Sequence, residues 1–245
     1  RSVLFIKGDY FVIRDETDAR ARHRYELRFH FAAGVGDAST SGVELHAHAH
    51  GGRWRTEDDW VSPCYGSRVA APVRTFEVEG EGPQDFLTVV LPRAAGVEAT
   101  RVLNLEQEGV AHFLEVVTNE VRDFLIVGRA GQHVAAGRFT TDFAWTWARL
   151  TSDGVLKEVV LVGGGTRFGH DGRELLSSPR RLRFAVARAD AGRLEFESEP
   201  GGFDEQNGDS VNVDGALKRR DKLSKEGRGR AARETSETPH TRRGL

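Results

Sequence analysis

The residues with the clearest chemical potential are three histidines in the run LHAHAHGG. His46, His48 and His50 stand two apart. On an extended strand, spacing two projects all three imidazoles from one face, and neighbouring rings on that face can converge on a metal ion. A cupin-like centre would add a glutamate a few residues later. Here the next acid is Glu57, beyond the Gly51-Gly52 break. The competing reading is an exposed strand whose outer face carries histidines. A fourth histidine, His30, alternates with Glu26 and Arg28. Such a histidine is a tuned acid–base group, a substrate contact or a salt-linked surface residue.

A second group lies in GGRWRTEDDWVSPCYGSRVAAP, from Gly51 to Pro72. It holds Trp54, Trp60 and Tyr65 with Arg53, Arg55 and Arg68. Flat rings beside guanidinium groups suit a sugar groove. Pyranose C–H faces pack on aromatic planes, and arginine binds carboxylate or sulfate bidentately. The alternative is that the rings anchor a loop to the core. The expectation is a division, with Trp60 anchoring and Tyr65 and Arg68 nearer sugar. Other motifs are empty. Gly163-Gly164-Gly165 is followed by Thr166-Arg167-Phe168-Gly169, with no Lys-Ser/Thr and no helix to bind a phosphate, and reads as a turn. There is no G-x-S-x-G elbow, and no histidine pairs with Cys64 in sequence.

The elements that must position these residues are strands. Tyr25, Leu27, Phe29 and Phe31 alternate with Glu26, Arg28 and His30, the period-two mark of a half-buried strand. Apolar runs recur at Val3–Ile6, Tyr10–Arg14, Val43–Ala49, Val73–Val78 and Phe86–Leu91. They continue at Ala99–Leu105, Ala111–Val117, Val121–Val127, Phe143–Leu150, Val155–Val162, Arg181–Ala187 and Arg193–Glu197. Between them sit turn signals such as His170-Asp171-Gly172 and Ser152-Asp153-Gly154. Short strands at this spacing predict an all-β chain, an antiparallel β-sandwich. Residues 51–72 show no such period and read as a long structured loop. Residues 1–200 read as one sandwich domain and 201–245 as a disordered polar tail, since Lys218–Leu245 is nearly all charged, small or polar.

Composition limits the partners. A formal net charge of -2 gives no field that would steer the chain to nucleic acid or an anionic membrane. No stretch approaches the roughly 18 apolar residues of a membrane span. The single cysteine rules out an internal disulfide and a cysteine-based zinc site. With no methionine anywhere, the expectation is an interior or C-terminal piece of a longer protein.

Four segments, RSVLFIKGDYFVIRDE, HRYELRFHFAAG, GGRWRTEDDWVSPCYGSRVAAPV and QDFLTVVLPR, resemble the heparinase II/III-like polysaccharide lyases. The resemblance is to the family's C-terminal β-sandwich region and spans approximately Arg1 to Pro200. It implies an N-terminal α/α-toroid that this chain lacks, an acidic polysaccharide as partner, and cleavage of uronic-acid-containing glycans by β-elimination. It also implies a periplasmic or extracellular setting. The family's acid–base Tyr and His come largely from the toroid, and its zinc ligands, where zinc is found, from a His-rich motif near the start of the β region. None of those motifs matches here, so no catalytic residue is carried over and no cofactor is expected within this chain. The sandwich would form one wall of the substrate cleft, with His30, Trp60, Tyr65 and Arg68 as candidate glycan contacts. Two other readings of the residues stay open. One is a stand-alone carbohydrate-binding or structural sandwich. The other is a metal-dependent enzyme built on His46, His48 and His50.

Overall fold

The computed structural model describes residues 1–35, 42–92, 100–105, 111–118, 120–190 and 193–200. The polar segment 201–245, expected to be disordered, lies outside the described residues. The strands are β1 (Ser2–Ile6), β2 (Tyr10–Thr17), β3 (Arg22–His30), β4 (Val43–His48), β5 (Arg53–Val61), β6 (Val69–Glu81), β7 (Gln84–Pro92) and β8 (Arg101–Asn104). They continue as β9 (His112–Val117), β10 (Val121–Val127), β11 (Val134–Ala136), β12 (Phe139–Thr141), β13 (Trp145–Thr151), β14 (Leu156–His170), β15 (Arg173–Asp190) and β16 (Arg193–Pro200). Among the described residues there is no helix, and the strand pairings are antiparallel.

Two smaller sheets, ordered β1-β2-β7-β4 and β3-β6-β5, are one ribbon folded at a set of corners. The Thr17↔Gln84 pair closes the first sheet and Arg22↔Glu81 opens the second. β4 likewise runs through a short corner into β5. Folding brings Phe76 and Val78 of β6 onto Phe86 of β7, with Tyr25, Leu27, Ala47 and Trp54 packed around them. The other face of the four-stranded sheet, with Val12, Leu87 and Val89, packs on Leu114, Leu125, Val127 and Trp147 of a nine-stranded main sheet.

That main sheet alternates cleanly. Leu125 and Val127 of β10 face the four-stranded sheet, while Phe124 and Ile126 face away into a second core. Strands from β9 to β16 contribute to this second core, through residues such as Phe113, Phe139, Leu161, Phe168, Leu182 and Phe196. A sheet whose strands all line one apolar cluster must curl around it, so the main sheet is a half-barrel. The expected Asp-Gly hairpin is present. Asp171 (φ 52°) and Gly172 (φ 74°) form a two-residue turn closed by the His170↔Arg173 pair, with both φ values positive as a type I′ turn requires.

Two expectations are corrected. Residues 51–72 are not a continuous loop, because Arg53–Val61 is a strand paired to β6 along its whole length. Its period is concealed by chemistry. Trp54 and Trp60 share their face with Thr56 and Asp58, and the opposite face carries Arg53, Arg55, Glu57 and Asp59, with Val61 at its end. The Gly163–Gly165 run is not a turn but a bulge inside the continuous strand β14, where the register with β15 shifts between Val162 and Gly165. The buried Asp142 carboxylate fastens it. Its Oδ1 accepts the backbone N–H groups of Thr166 and Arg167 at 2.8 Å each, and its Oδ2 accepts the Thr166 hydroxyl at 2.6 Å. Gly163 and Gly164 adopt φ of 91° and 82°, which L side chains rarely enter.

Candidate functional site

The β5–β6 hairpin carries the residues expected to meet sugar. At its tip Arg68 lies over the Trp60 ring, 4.7 Å from the centroid, and among the described residues Arg68 has no acidic partner. Trp60 is 48% exposed and Tyr65 is fully exposed. Trp60 therefore does not anchor the hairpin to a core. Further along the same face Arg74 lies 4.3 Å from the Trp54 ring, which meets Phe29 and Phe76 edge-on or tilted at 5.9 and 5.2 Å. Arg–aromatic stacks of this kind hold a guanidinium fixed while leaving its N–H donors free.

The opposite face of β3-β6-β5 is a lattice of opposite charges. Arg24 and Arg53 each reach Glu77 at 2.5 Å, Arg28 reaches Asp59 at 2.6 Å and Arg22 reaches Glu79 at 2.9 Å. Arg55 pairs with Glu57 and Glu26. The Arg53 hydrogen bond holds the Glu77 carboxyl below its ordinary range, against the opposing effect of desolvation. Ala71, Val73 and Thr75 of the central strand are buried beneath these long side chains, whose stems roof them while their heads stay wet. Arg53 and Arg55 are thus neutralised within the sheet. His30 belongs to this lattice face, opposite Val73, so the fold separates it from Trp60 and Arg68.

The three spaced histidines do not converge. His46 Nε2 lies 2.8 Å from Glu44 Oε1, His48 sets its ring edge-on to His112 with centroids 5.3 Å apart, and His50 sits exposed beyond the end of β4. His46 and His48 face the main sheet beside Val89 and Leu87, so their side of the strand is not an outer surface. Among the described residues no group of three or more His, Cys, Asp or Glu side chains is arranged to hold a metal ion. The zinc implied for a full-length parent does not fit these residues. Cys64 is exposed and free.

Polar residues that the sequence did not single out close both ends of the layer between the four-stranded sheet and the main sheet. At one end Tyr10 donates to Asp123 Oδ2 (2.7 Å), and Trp147 Nε1 donates to the Tyr10 oxygen (2.9 Å). Arg149 grips both Asp123 oxygens at 2.7–2.8 Å and reaches Asp9 at 2.6 Å. Burial, reinforced by the Asp123 charge, pushes the Tyr10 hydroxyl well above its ordinary pKa. This network is satisfied and is a structural clamp.

The other end is less complete. Arg14, 7% exposed, donates through Nε and Nη2 to Asp85 at 3.0 and 2.6 Å, and its Nη2 also lies 3.1 Å from Glu16. Behind Asp85 lies His112, 3% exposed, with Nε2 3.3 Å from Asp85 Oδ1 but not aligned as a hydrogen bond. Burial alone would raise the Asp85 carboxyl, but His112 and then Arg14 outweigh it and hold it below the usual carboxylate range. Neither nitrogen of His112 has an aligned partner among the described residues. Leaving a buried polar group in that state costs about 1–3 kcal/mol. The only sequence signal for this cluster was a histidine at the start of the largely apolar β9. Arg14, Asp85 and His112 come from β2, β7 and β9, and topology alone unites them.

Neither a protein-family model nor a curated protein matches this chain.

Proposed function

We propose that this chain is the β-sandwich part of a polysaccharide lyase resembling the heparinase II/III-like enzymes, and that it holds an acidic glycan against a catalytic domain it does not itself contain. The observation that carries the reading is the Trp60–Arg68 stack, exposed at a hairpin tip beside the fully exposed Tyr65. A ring with a guanidinium fixed over it, one without an acidic partner among the described residues, offers a uronate both things it needs, a flat apolar surface and a bidentate donor for its carboxylate. β-Elimination begins with removal of the proton α to that carboxylate, a step that proceeds only when its charge is neutralised. Arg68 supplies neutralisation and Trp60 supplies register. The acid and base belong to the missing toroid, so the isolated chain binds without cleaving.

The test is binding of alginate, hyaluronan and heparan sulfate to the full chain, followed by tryptophan fluorescence and calorimetry, with a neutral glucan as control. Binding of at least one acidic polymer is expected, weakened about tenfold or more by Trp60→Ala or Arg68→Ala, as loss of a charge-assisted contact implies. No double bond should appear in the ultraviolet during incubation. Wild-type affinity in both variants, or turnover abolished by a point mutation within this chain, would overturn the proposal.

A further inference from the structure

The incompletely satisfied end of the interlayer does not stop at Arg14 and His112. It opens on a cleft of about 630 Å³, between the β2/β3 and β6/β7 corners on one side and residues 128–132 on the other. Arg14, Glu16, Asp18 and Asp85 line one wall, and Arg129 and Gln132 the other, with Gln84 beside Asp85. The volume lies in the ordinary range for small-ligand sites. The geometry points to a second carbohydrate site in this cleft, one that takes a single uronic-acid residue.

Each wall selects part of such a ligand. Asp85 is ionised and clamped from behind by Arg14 and His112, so it faces the cleft only as a hydrogen-bond acceptor. Glu16, held to Arg14, and Asp18 add further acceptors. Sugar hydroxyls are the matching donors. On the far wall the Arg129 guanidinium has no acidic partner among the described residues, and it can pair with one carboxylate. The turn that carries it is preformed. Gln132 N–H donates to the Arg129 carbonyl (3.1 Å), and Gly131 N–H donates to the Asp142 carbonyl (2.7 Å), which ties the turn to the half-barrel.

The same features reject other ligands. A divalent cation would meet the Arg14 charge already seated between Asp85 and Glu16. A dianionic phosphate monoester would bring twice a uronate's charge against three carboxylates, Glu16, Asp18 and Asp85. His112, buried behind the last of these with Nε2 3.3 Å from Asp85 Oδ1, holds Asp85 from the side away from the cleft.

The choice of a uronate rests on the acidic-glycan reading above, whereas the existence of the site rests on the cleft. The experiment uses the full chain with methyl β-glucuronoside and methyl β-glucoside, titrated by nuclear magnetic resonance with backbone assignments. Expected are saturable shifts confined to Arg14–Asp18, Pro83–Asp85 and Gly128–Gln132, with the glucuronoside bound more tightly. Arg129→Ala should weaken the glucuronoside about tenfold and leave the glucoside nearly unchanged, since it removes only the carboxylate partner. Gln132→Ala, on the same exposed turn, should weaken both. Trp60→Ala should leave monosaccharide binding intact while reducing polymer binding. Absence of saturable shifts in the cleft, or wild-type binding in both Arg129→Ala and Gln132→Ala, overturns this site. If the polymer still binds through Trp60 in that case, the proposed function survives without it.

Discussion

Tyr10 and Asp123 lie 113 residues apart in the chain and share a 2.7 Å hydrogen bond across the layer between the four-stranded sheet and the half-barrel. Asp123 is 1% exposed, so its charge is tolerable only because Tyr10 and Arg149 neutralise and solvate it. Tyr10→Phe removes one donor to Asp123 and the acceptor for Trp147 Nε1, and should cost about 1–3 kcal/mol. Asp123→Ala leaves Arg149, over the Trp147 ring, with Asp9 as its remaining acidic partner and should cost about 3–5 kcal/mol, the range for breaking one side of a buried pair. Urea unfolding with an unchanged slope is the check. Equal losses in the two variants would show that Arg149 finds other partners.

The β14 bulge predicts a graded series. At Gly164 an added methyl group meets open space, so Gly164→Ala carries only the strain of a left-handed backbone, about 1–2 kcal/mol. At Gly163 the same strain is joined by a clash with Ala144, and at Gly165 the methyl group would enter the Phe143 ring. Both should lose more stability than Gly164→Ala. Asp142→Ala should resemble them, because it frees three donors at once. The order is read from thermal melts of the four variants.

Stability should fall with acid through His170. Burial depresses its pKa from the usual value, with Asp171 opposing and Arg138 assisting. The folded state therefore binds a proton less readily than the unfolded chain. The contribution is complete above about pH 6.5, the unfolded value, and is lost as pH falls through the folded pKa. Asp85, also depressed, adds a second loss at lower pH, below about 4. His170→Gln should flatten the upper part of the profile and leave the lower part. Denaturant midpoints measured between about pH 8 and 3 separate the two, and a profile unchanged by His170→Gln would remove His170 as the cause.

How much of this was legible follows from where each pattern is encoded. β3 announced itself because its alternation is apolar against charged. β5 did not, because a strand whose one face is an ion lattice and whose other face mixes Trp54 and Trp60 with Thr56 and Asp58 has no apolar period to detect. β11 and β12, three residues each, are too short to carry a period. The glycine run looked like a turn because the carboxylate that makes it a bulge, Asp142, lies 24 residues from Thr166. Trp60, Tyr65 and Arg68 were found because they are neighbours in the chain. Arg14, Asp85 and His112 were missed because three different strands deliver them.

Two tryptophans, Trp147 and Trp60, should separate most clearly. Trp147 is buried between the layers, donates to Tyr10 and lies beneath Arg149. Trp147→Ala should cost about 3–5 kcal/mol, as deletion of a large buried ring does. Trp60 stands half in solvent at a hairpin tip, in contact with Arg68. An exposed cation–π pair contributes about 0.5–1 kcal/mol, so Trp60→Ala should lose about that much stability. Its effect should appear in glycan binding, where the ring surface is used. Parallel denaturation of the two variants decides between an anchor and a contact. A Trp60→Ala protein as unstable as Trp147→Ala would return Trp60 to the role of anchor, and its exposed ring would then need another explanation.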